Sequence, residues 1–235
     1  MFNIAIEMKN KLCFLTVAIA VCFSISTRGQ DLSINMGTDF PYQFYAGVTY
    51  ETDMAAISAR SGLLVEPYSS IVIDVVEMLG VREVYIALLD QTYDSGWMNS
   101  IGGYYKFGDE NQWYLGPEIR VDHLKASKVQ ESLLFDIIGL NLDLGNFFTR
   151  QYELGLTLYG IGLRGGRKFY LDENKKHSLR PEISMYKYVR SHSVLSRNGI
   201  KPAELNSILN NLLWEDVFKN YGYVGGIGIL YAYRF

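Results

Sequence analysis

Apolar and polar residues alternate through the last fifteen positions of the chain. Phe235, Tyr233, Tyr231, Ile229, Ile227, Gly225, Tyr223 and Tyr221 share one phase, and Arg234, Ala232, Leu230, Gly228, Gly226, Val224 and Gly222 share the other. A period of two over this length predicts a β-strand. One face is aromatic and aliphatic, while the other is small and carries the single charge, which suits the wall of a narrow closed barrel. The same period recurs upstream, at Leu32–Met36, Phe44–Glu51, Ala55–Leu64, Trp97–Phe107, Trp113–Leu124, Tyr152–Tyr170 and Ser178–Ser191. With the terminal segment these make about eight strands, a usual number for a small barrel.

Two strands state the pattern most fully. Trp113, Leu115, Pro117, Ile119 and Val121 oppose Glu118, Arg120 and Asp122, and Leu179, Pro181, Ile183, Met185 and Val189 oppose Arg180, Glu182 and Arg190. A soluble sandwich with its charges outside would alternate in the same way. Tyr and Trp near the strand ends (Trp97, Trp113, Tyr114, Tyr170, Tyr188, Tyr221, Tyr233) favour the membrane arrangement, where such residues form interfacial girdles. The prolines lack a ladder donor, so a local bulge is expected at each. A further bulge is expected near Gly160 and Gly162, because Leu154, Leu156 and Leu158 are out of phase with Ile161 and Leu163.

Connections alternate between short and long. Thr52–Met54, Gly108–Asn111 and Asp172–Lys176 are short, whereas 65–96, 125–151 and 192–220 are long. Helices are predicted in two of the long ones. Pro67 begins a stripe of Ile71, Val72, Val75, Val76 and Leu79 that Gly80 ends, a second stripe has Val84, Tyr85, Leu88 and Leu89, and Pro202 opens a third through Leu205, Leu209, Leu213 and Val217. The expectation is therefore an all-β, antiparallel up-and-down transmembrane β-barrel of about eight strands, with short helices in the long extracellular loops and short turns on the periplasmic side.

Residues 1–29 read as an export signal, with Lys9 and Lys11 ahead of the apolar run Leu12–Phe23 and small residues before a break. That leaves 30–235 as the barrel. Both cysteines, Cys13 and Cys22, fall in this segment, so thiol, disulfide and cysteine-metal chemistry is excluded from the remainder. Removing Lys9, Lys11, Arg28 and Glu7 moves the formal net charge from −3 to −5. That acidity argues against nucleic acid as a partner. No phosphate-binding loop, metalloprotease helix or other cofactor motif is present, and no cofactor or metal is expected.

Taken together, the export segment, the strand pattern and the terminal Tyr231-x-Tyr233-x-Phe235 resemble the small outer-membrane barrels of Gram-negative bacteria of the OmpA/OmpX type. The resemblance implies outer-membrane localisation, contact with outer-membrane lipid, and delivery by the barrel assembly machinery, with Tyr231, Tyr233 and Phe235 as its signal. Helical outer loops depart from that family's extended ones.

Eight strands enclose only enough space for side chains, so Glu51, Arg60, Glu118, Arg120, Asp122, Arg180, Glu182, Arg190 and Arg234, with Lys106, are expected to form a charge network filling the lumen. A narrow solute channel is the alternative use of that lining. His123 and Ser127 are the only candidates for catalysis. They lie near the outer end of one strand, similar in location to the catalytic pair of lipid A deacylases, but no carboxylate is placed to orient the histidine. An enzymatic role is not favoured. The apolar stripes at 65–96 and 192–220 predict a lid over the barrel mouth or a docking face for a protein partner.

Overall fold

The computed structural model describes residues 31–64, 68–78, 80–92, 96–138, 151–197 and 202–235. The segment read as an export signal, Pro67 and Leu79 lie outside them. The strands run β1 (Asp31–Phe40), β2 (Gln43–Glu51), β3 (Ala55–Leu64), β4 (Gly96–Phe107), β5 (Trp113–Gln130), β6 (Gln151–Arg167), β7 (Phe169–Tyr170), β8 (His177–Ser196) and β9 (Tyr223–Arg234). Each pairs antiparallel with its neighbours, and β6–β8 and β9–β1 pairing closes the sheet. The short β7 continues β6 along β8 in the same register, so the barrel has eight walls.

Register fixes the tilt. From Tyr233 the paired residues run through Ile34, Val48, Ala59, Ile101, Ile119, Ile161 and Lys187 and return to β9 at Tyr223, ten residues from the start. A stagger of that size over eight strands inclines them by about 40° to the barrel axis. Along this circuit the outward side chains are apolar until Lys187.

Both prolines interrupt the ladder without shifting it. The β4–β5 pairing skips Gly103 and Tyr104 and resumes in the same register across from Pro117 and Gly116. The break between β6 and β7 lies across from Pro181. Missing N–H groups thus remove single rungs, and the expected bulge at each proline does not occur. Extra residues lie elsewhere, at Ala126/Val129 in β5 and at Val189 in β8, opposite Tyr159 and Gly160. Strand β6 itself keeps its phase: Leu154, Leu156 and Leu158 are buried, and the inward series continues through Gly160 to Arg164. The phase shift inferred for β6 from its own sequence belongs to β8.

At one end the connections are the expected short turns. At the other, β1 and β2 join through Pro41 and Tyr42, and the remaining links carry helices α1 (Tyr68–Met78), α2 (Glu83–Thr92), α3 (Glu131–Ile138) and α4 (Ala203–Leu212), with a π-turn (Leu213–Phe218) and a final helical turn (Lys219–Tyr221) after α4. Helix α3 was not foreseen, and β5 and β8 run past Leu124 and Ser191 to Gln130 and Ser196. These extensions form a wall against which the helices pack. Leu124, Val129, Leu154, Leu156 and Leu195 of the wall share one core with Leu88 and Leu89 of α2, Leu134 and Ile137 of α3, Leu209 of α4, and Leu213 and Val217 of the π-turn. The interior therefore has two storeys, polar at the turn end and apolar at the helical end.

Candidate functional site

Alternation places an acid or base on the inner face of almost every strand, and closure brings these groups together. Among the described residues, the lumen buries the carboxylates Asp39, Glu51, Glu118, Asp122 and Glu182 with the cations Arg60, Lys106, Arg120, Arg164, Lys168 and Arg180. Five negative charges against six positive leave the interior nearly neutral, as a low-dielectric space requires.

The network has three tiers. Nearest the short turns, Glu51 is shared by Lys106 at 3.4 Å, Arg180 at 2.8 Å and Lys168. In the middle, Arg60 forms a two-pronged pair with Glu182 at 2.6 and 2.7 Å. Arg164 is the hub there: it donates to Asp39 at 2.8 and 2.7 Å, to Glu118 at 2.7 Å, to Glu182 at 2.9 Å and to the Tyr186 hydroxyl at 2.7 Å. Tyr104 and Tyr186 donate to Glu118, and Tyr114 donates to Glu182. At the top, Arg120 pairs with Asp122 at 2.8 Å between the rings of Tyr42 and Tyr186, and Tyr188 donates to Asp122. Asn35, Thr49 and Ser58 carry the hydrogen bonding across β1–β3 to Arg60.

Glycines on the inner face make room for this. A Cβ on Gly162 would lie 2.2 Å from the Met185 carbonyl oxygen and 2.6 Å from the Tyr186 ring, and one on Gly166 would lie 2.7 Å from the Tyr114 hydroxyl. Tyrosine rings from β5 and β8 thus lie over bare backbone of β6, filling the cross-section that the glycines leave.

Of the charges expected in the lumen, Glu51, Arg60, Lys106, Glu118, Arg120, Asp122, Arg180 and Glu182 lie within it. Arg190 does not. The extra residue at Val189 reverses the phase of β8, so Arg190 faces outward and Ser193 and Leu195 take the inner face. Arg234 lies at the rim of the turn end, half-exposed, paired with Asp31 at 2.8 Å. Sequence reasoning missed Asp39, Lys168 and the hub Arg164. Arg164 is opposite in phase to Ile161 and Leu163, the outward apolar pair of β6, and that spacing would have found it.

Above Asp122 the charged lining of the wall stops, and the mouth is covered. Tyr42 reaches across to donate to the Gly225 carbonyl at 2.9 Å. Helix α4 closes the edge of β8 above Lys187, where β9 has already ended its pairing. Asn206 exchanges hydrogen bonds with the backbone of Leu195 at 2.5 and 3.0 Å, and Asn210 does the same with Ser193 at 2.5 and 3.0 Å. Four helical residues rise about 6 Å, which matches the rise of two strand residues, about 6.7 Å, so two side-chain amides replace two rungs of a missing strand. Tyr85 of α2 ties the lid to the π-turn by donating to Asp216 at 2.5 Å, and burial together with that bond pushes its hydroxyl up to about 12.

His123 faces outward, its Nδ1 3.1 Å from the Thr157 hydroxyl oxygen. Asp122 is committed to Arg120 and Tyr188 inside, so among the described residues no carboxylate orients the ring. The side chain of Ser127 lies outside the described residues. His177 contacts the Tyr231 hydroxyl at 2.6 Å and packs against Tyr233, while Phe235 is exposed at the rim. Among the described residues no cluster of three or more His, Cys, Asp or Glu side chains is arranged to hold a metal ion.

No protein-family model and no curated protein matches the sequence. Among the solved structures that match are three outer membrane proteins. A major outer membrane protein from Thermus thermophilus aligns with a TM-score of 0.48 at 11% identity, over 88% of this chain and 100% of that one. Acinetobacter baumannii CarO aligns at 0.37 and 7% identity, over 87% and 97%. The Yersinia pestis outer membrane protein Ail, determined in a phospholipid bilayer nanodisc, aligns at 0.31 and 12% identity, over 88% and 98%. These are likenesses of architecture, and the geometry described above stands independently of them.

Proposed function

We propose that the chain is an integral outer-membrane β-barrel whose lumen is sealed by its ion-pair network and whose helices form a lid, so that its working surface is its exterior and its outer end. The observation that carries this reading is inversion. Ile101, Ile119, Ile183 and Ile227 are 62%, 62%, 69% and 66% exposed, whereas Arg164, Asp122 and Glu182 are at most 1% exposed. In water each large apolar side chain left exposed forgoes about 1.5–3 kcal/mol of burial, and a continuous ring of them far exceeds the patch a soluble monomer tolerates. In lipid the same ring is solvated.

The dimensions agree. From Trp113 to His123 the outward face of β5 rises roughly 25 Å, at about 3.3 Å per residue and a tilt of about 40°, which is the height of a hydrocarbon band. Aromatic residues border it: Phe107, Trp113, Phe169 and Phe235 at the turn end, and Phe40, Phe44, Trp97, Tyr159 and Tyr223 at the helical end. Beyond that upper border the outward residues become polar, with Lys125, Glu153 and His192. The exposed ring at Tyr231-x-Tyr233-x-Phe235 fits the role of an assembly signal.

A sealed interior favours a structural or interaction role over a channel, and the uncommitted outer surface of the lid is where a protein partner would dock. Detergent-dependent solubility, heat-modifiable gel mobility and outer-membrane fractionation test the membrane reading. Planar-bilayer recording tests the seal, and no stable conductance is expected. Protein that stays dissolved without detergent would overturn the first, and a steady large-diameter channel the second.

A further inference from the structure

We infer that the outward face of β5, β6 and β8 just above the aromatic border binds the phosphate-bearing headgroup of a membrane lipid. The inference rests on the membrane-spanning reading and adds a ligand to it. Pairing places His123, Thr157 and His192 side by side on three adjacent strands, with Arg190 one row below beside Tyr159 and Lys187 beneath that. His123, His192, Arg190 and Lys187 are all exposed.

Arg190 is outward only because of the extra residue at Val189. Without it, the alternation that buries Tyr186 and Tyr188 would carry Arg190 into the lumen. A bulge costs ladder hydrogen bonds and re-aims the side chain that follows it. Here it lifts a guanidinium out of a charge-balanced interior and places it at the level where lipid headgroups begin. Arg190 makes no ion pair among the described residues. Lys187 lies over the Tyr223 ring, 4.7 Å from its centroid, and donates to its hydroxyl at 2.9 Å, which holds the ammonium at the border and leaves donors free. Glu153 is the only acidic side chain on that outward face above Tyr159, among the described residues, and it is paired with Lys125 at 3.5 Å. A planar guanidinium, an ammonium, a hydroxyl and two imidazoles on one rigid wall are donors suited to phosphate oxygens. The tyrosines below them cover the adjoining acyl chains. A lipid is the occupant that meets both halves of this surface, since the apolar belt continues directly beneath the donors.

The test reconstitutes the full chain in phosphatidylcholine nanodiscs doped with phosphatidic acid, which bears a phosphate monoester, and reads lipid retained after transfer to detergent by native mass spectrometry. Wild type is expected to retain phosphatidic acid over phosphatidylcholine. Arg190→Gln with Lys187→Gln is expected to lower that preference about thirtyfold, since each cation near a membrane surface contributes about a factor of five. Lys175→Gln with Lys176→Gln, the same charge change at the opposite end, is expected to leave it unchanged. Equal retention by wild type and the Arg190 and Lys187 variant overturns the inference, and so does an equal loss in the Lys175 and Lys176 variant, which would reduce the effect to net charge. Inorganic phosphate bound by the detergent-solubilised barrel with the same dependence on Arg190 would move the site from lipid to free anion and also overturn it. Failure to insert into nanodiscs would instead defeat the membrane reading, so the two failures are distinguishable.

Discussion

Replacing Arg164 by methionine removes the one side chain that touches every carboxylate of the middle tier. Its bonds to Asp39, Glu118, Glu182 and Tyr186 go together. The carboxylates are not left equally bare. Glu182 keeps Arg60, Tyr45 and Tyr114, and Glu118 keeps Tyr104 and Tyr186. Asp39 retains only a 3.4 Å contact from Gln43. The loss is therefore dominated by one buried aspartate without a cation, for which broken pairs cost about 3–5 kcal/mol. That is about 4 kcal/mol, or about 2 M in urea midpoint at a slope near 2 kcal/mol per molar. Arg164→Lys retains the charge but spans only part of the gap, and should lose about half as much. Asp39→Asn in the Arg164→Met background should recover about 2 kcal/mol. Urea unfolding in detergent micelles, followed by tryptophan fluorescence and by the heat-modifiable band, measures all of these. A loss below about 1 kcal/mol, or additivity of the Arg164 and Asp39 changes, would refute the claim that a cooperative ion network fills the barrel.

The lid makes three further predictions, together with the chain end. Asn206→Leu with Asn210→Leu leaves backbone groups of Leu195 and Ser193 unpaired and should cost about 2–4 kcal/mol of lid stability, read as accelerated amide exchange at those residues with the barrel amides unchanged. Tyr85 ionises near 12 in the folded lid against an ordinary value near 10, so its contribution is complete below pH 10 and is lost as the pH rises towards 12; proteolysis of the helical links should increase over that window, and Tyr85→Phe should abolish the step. Deleting Phe235 removes an exposed ring and one backbone bond to Leu32, at 3.1 Å, so refolding into detergent should be unaffected while delivery to the outer membrane in cells falls. Equal defects in both assays would make Phe235 structural and not an assembly signal.

Strand number, the short turns and eight inner charges were readable because each depends on a period of two, which survives in one sequence. What was misread lies where apolar residues face inward. Leu154, Leu156 and Leu158 look like a lipid face because leucine is correct for lipid, yet they belong to the lid core. Placing them on one face with Ile161 and Leu163 forced a slip into β6, whereas the strand keeps a single phase and the leucines face inward with Arg164. The bulge that does exist sits in Val189-Arg190, where nothing in the composition marks it. Asn206 and Asn210 stand four apart in a helix, and only the β8 edge opposite shows that they complete a sheet.

The two storeys have different physical requirements, and that explains the order in which they occur. Within the hydrocarbon band a lumen-facing backbone is already satisfied by its neighbours, so the space inside can take ions provided that they pair, and the narrow tilted cylinder supplies the pairs at fixed distances. Above the band the same wall has water outside, so its apolar side must face inward and needs something to cover it. The helices do this. On β5 the change from Asp122 to Leu124 inside coincides with the change from Val121 to His123 outside. Both faces invert within three residues, at the height set by Trp97, Tyr159 and Tyr223. A soluble sandwich has no reason to exchange its faces partway along a strand, whereas a wall that leaves lipid for water must do so.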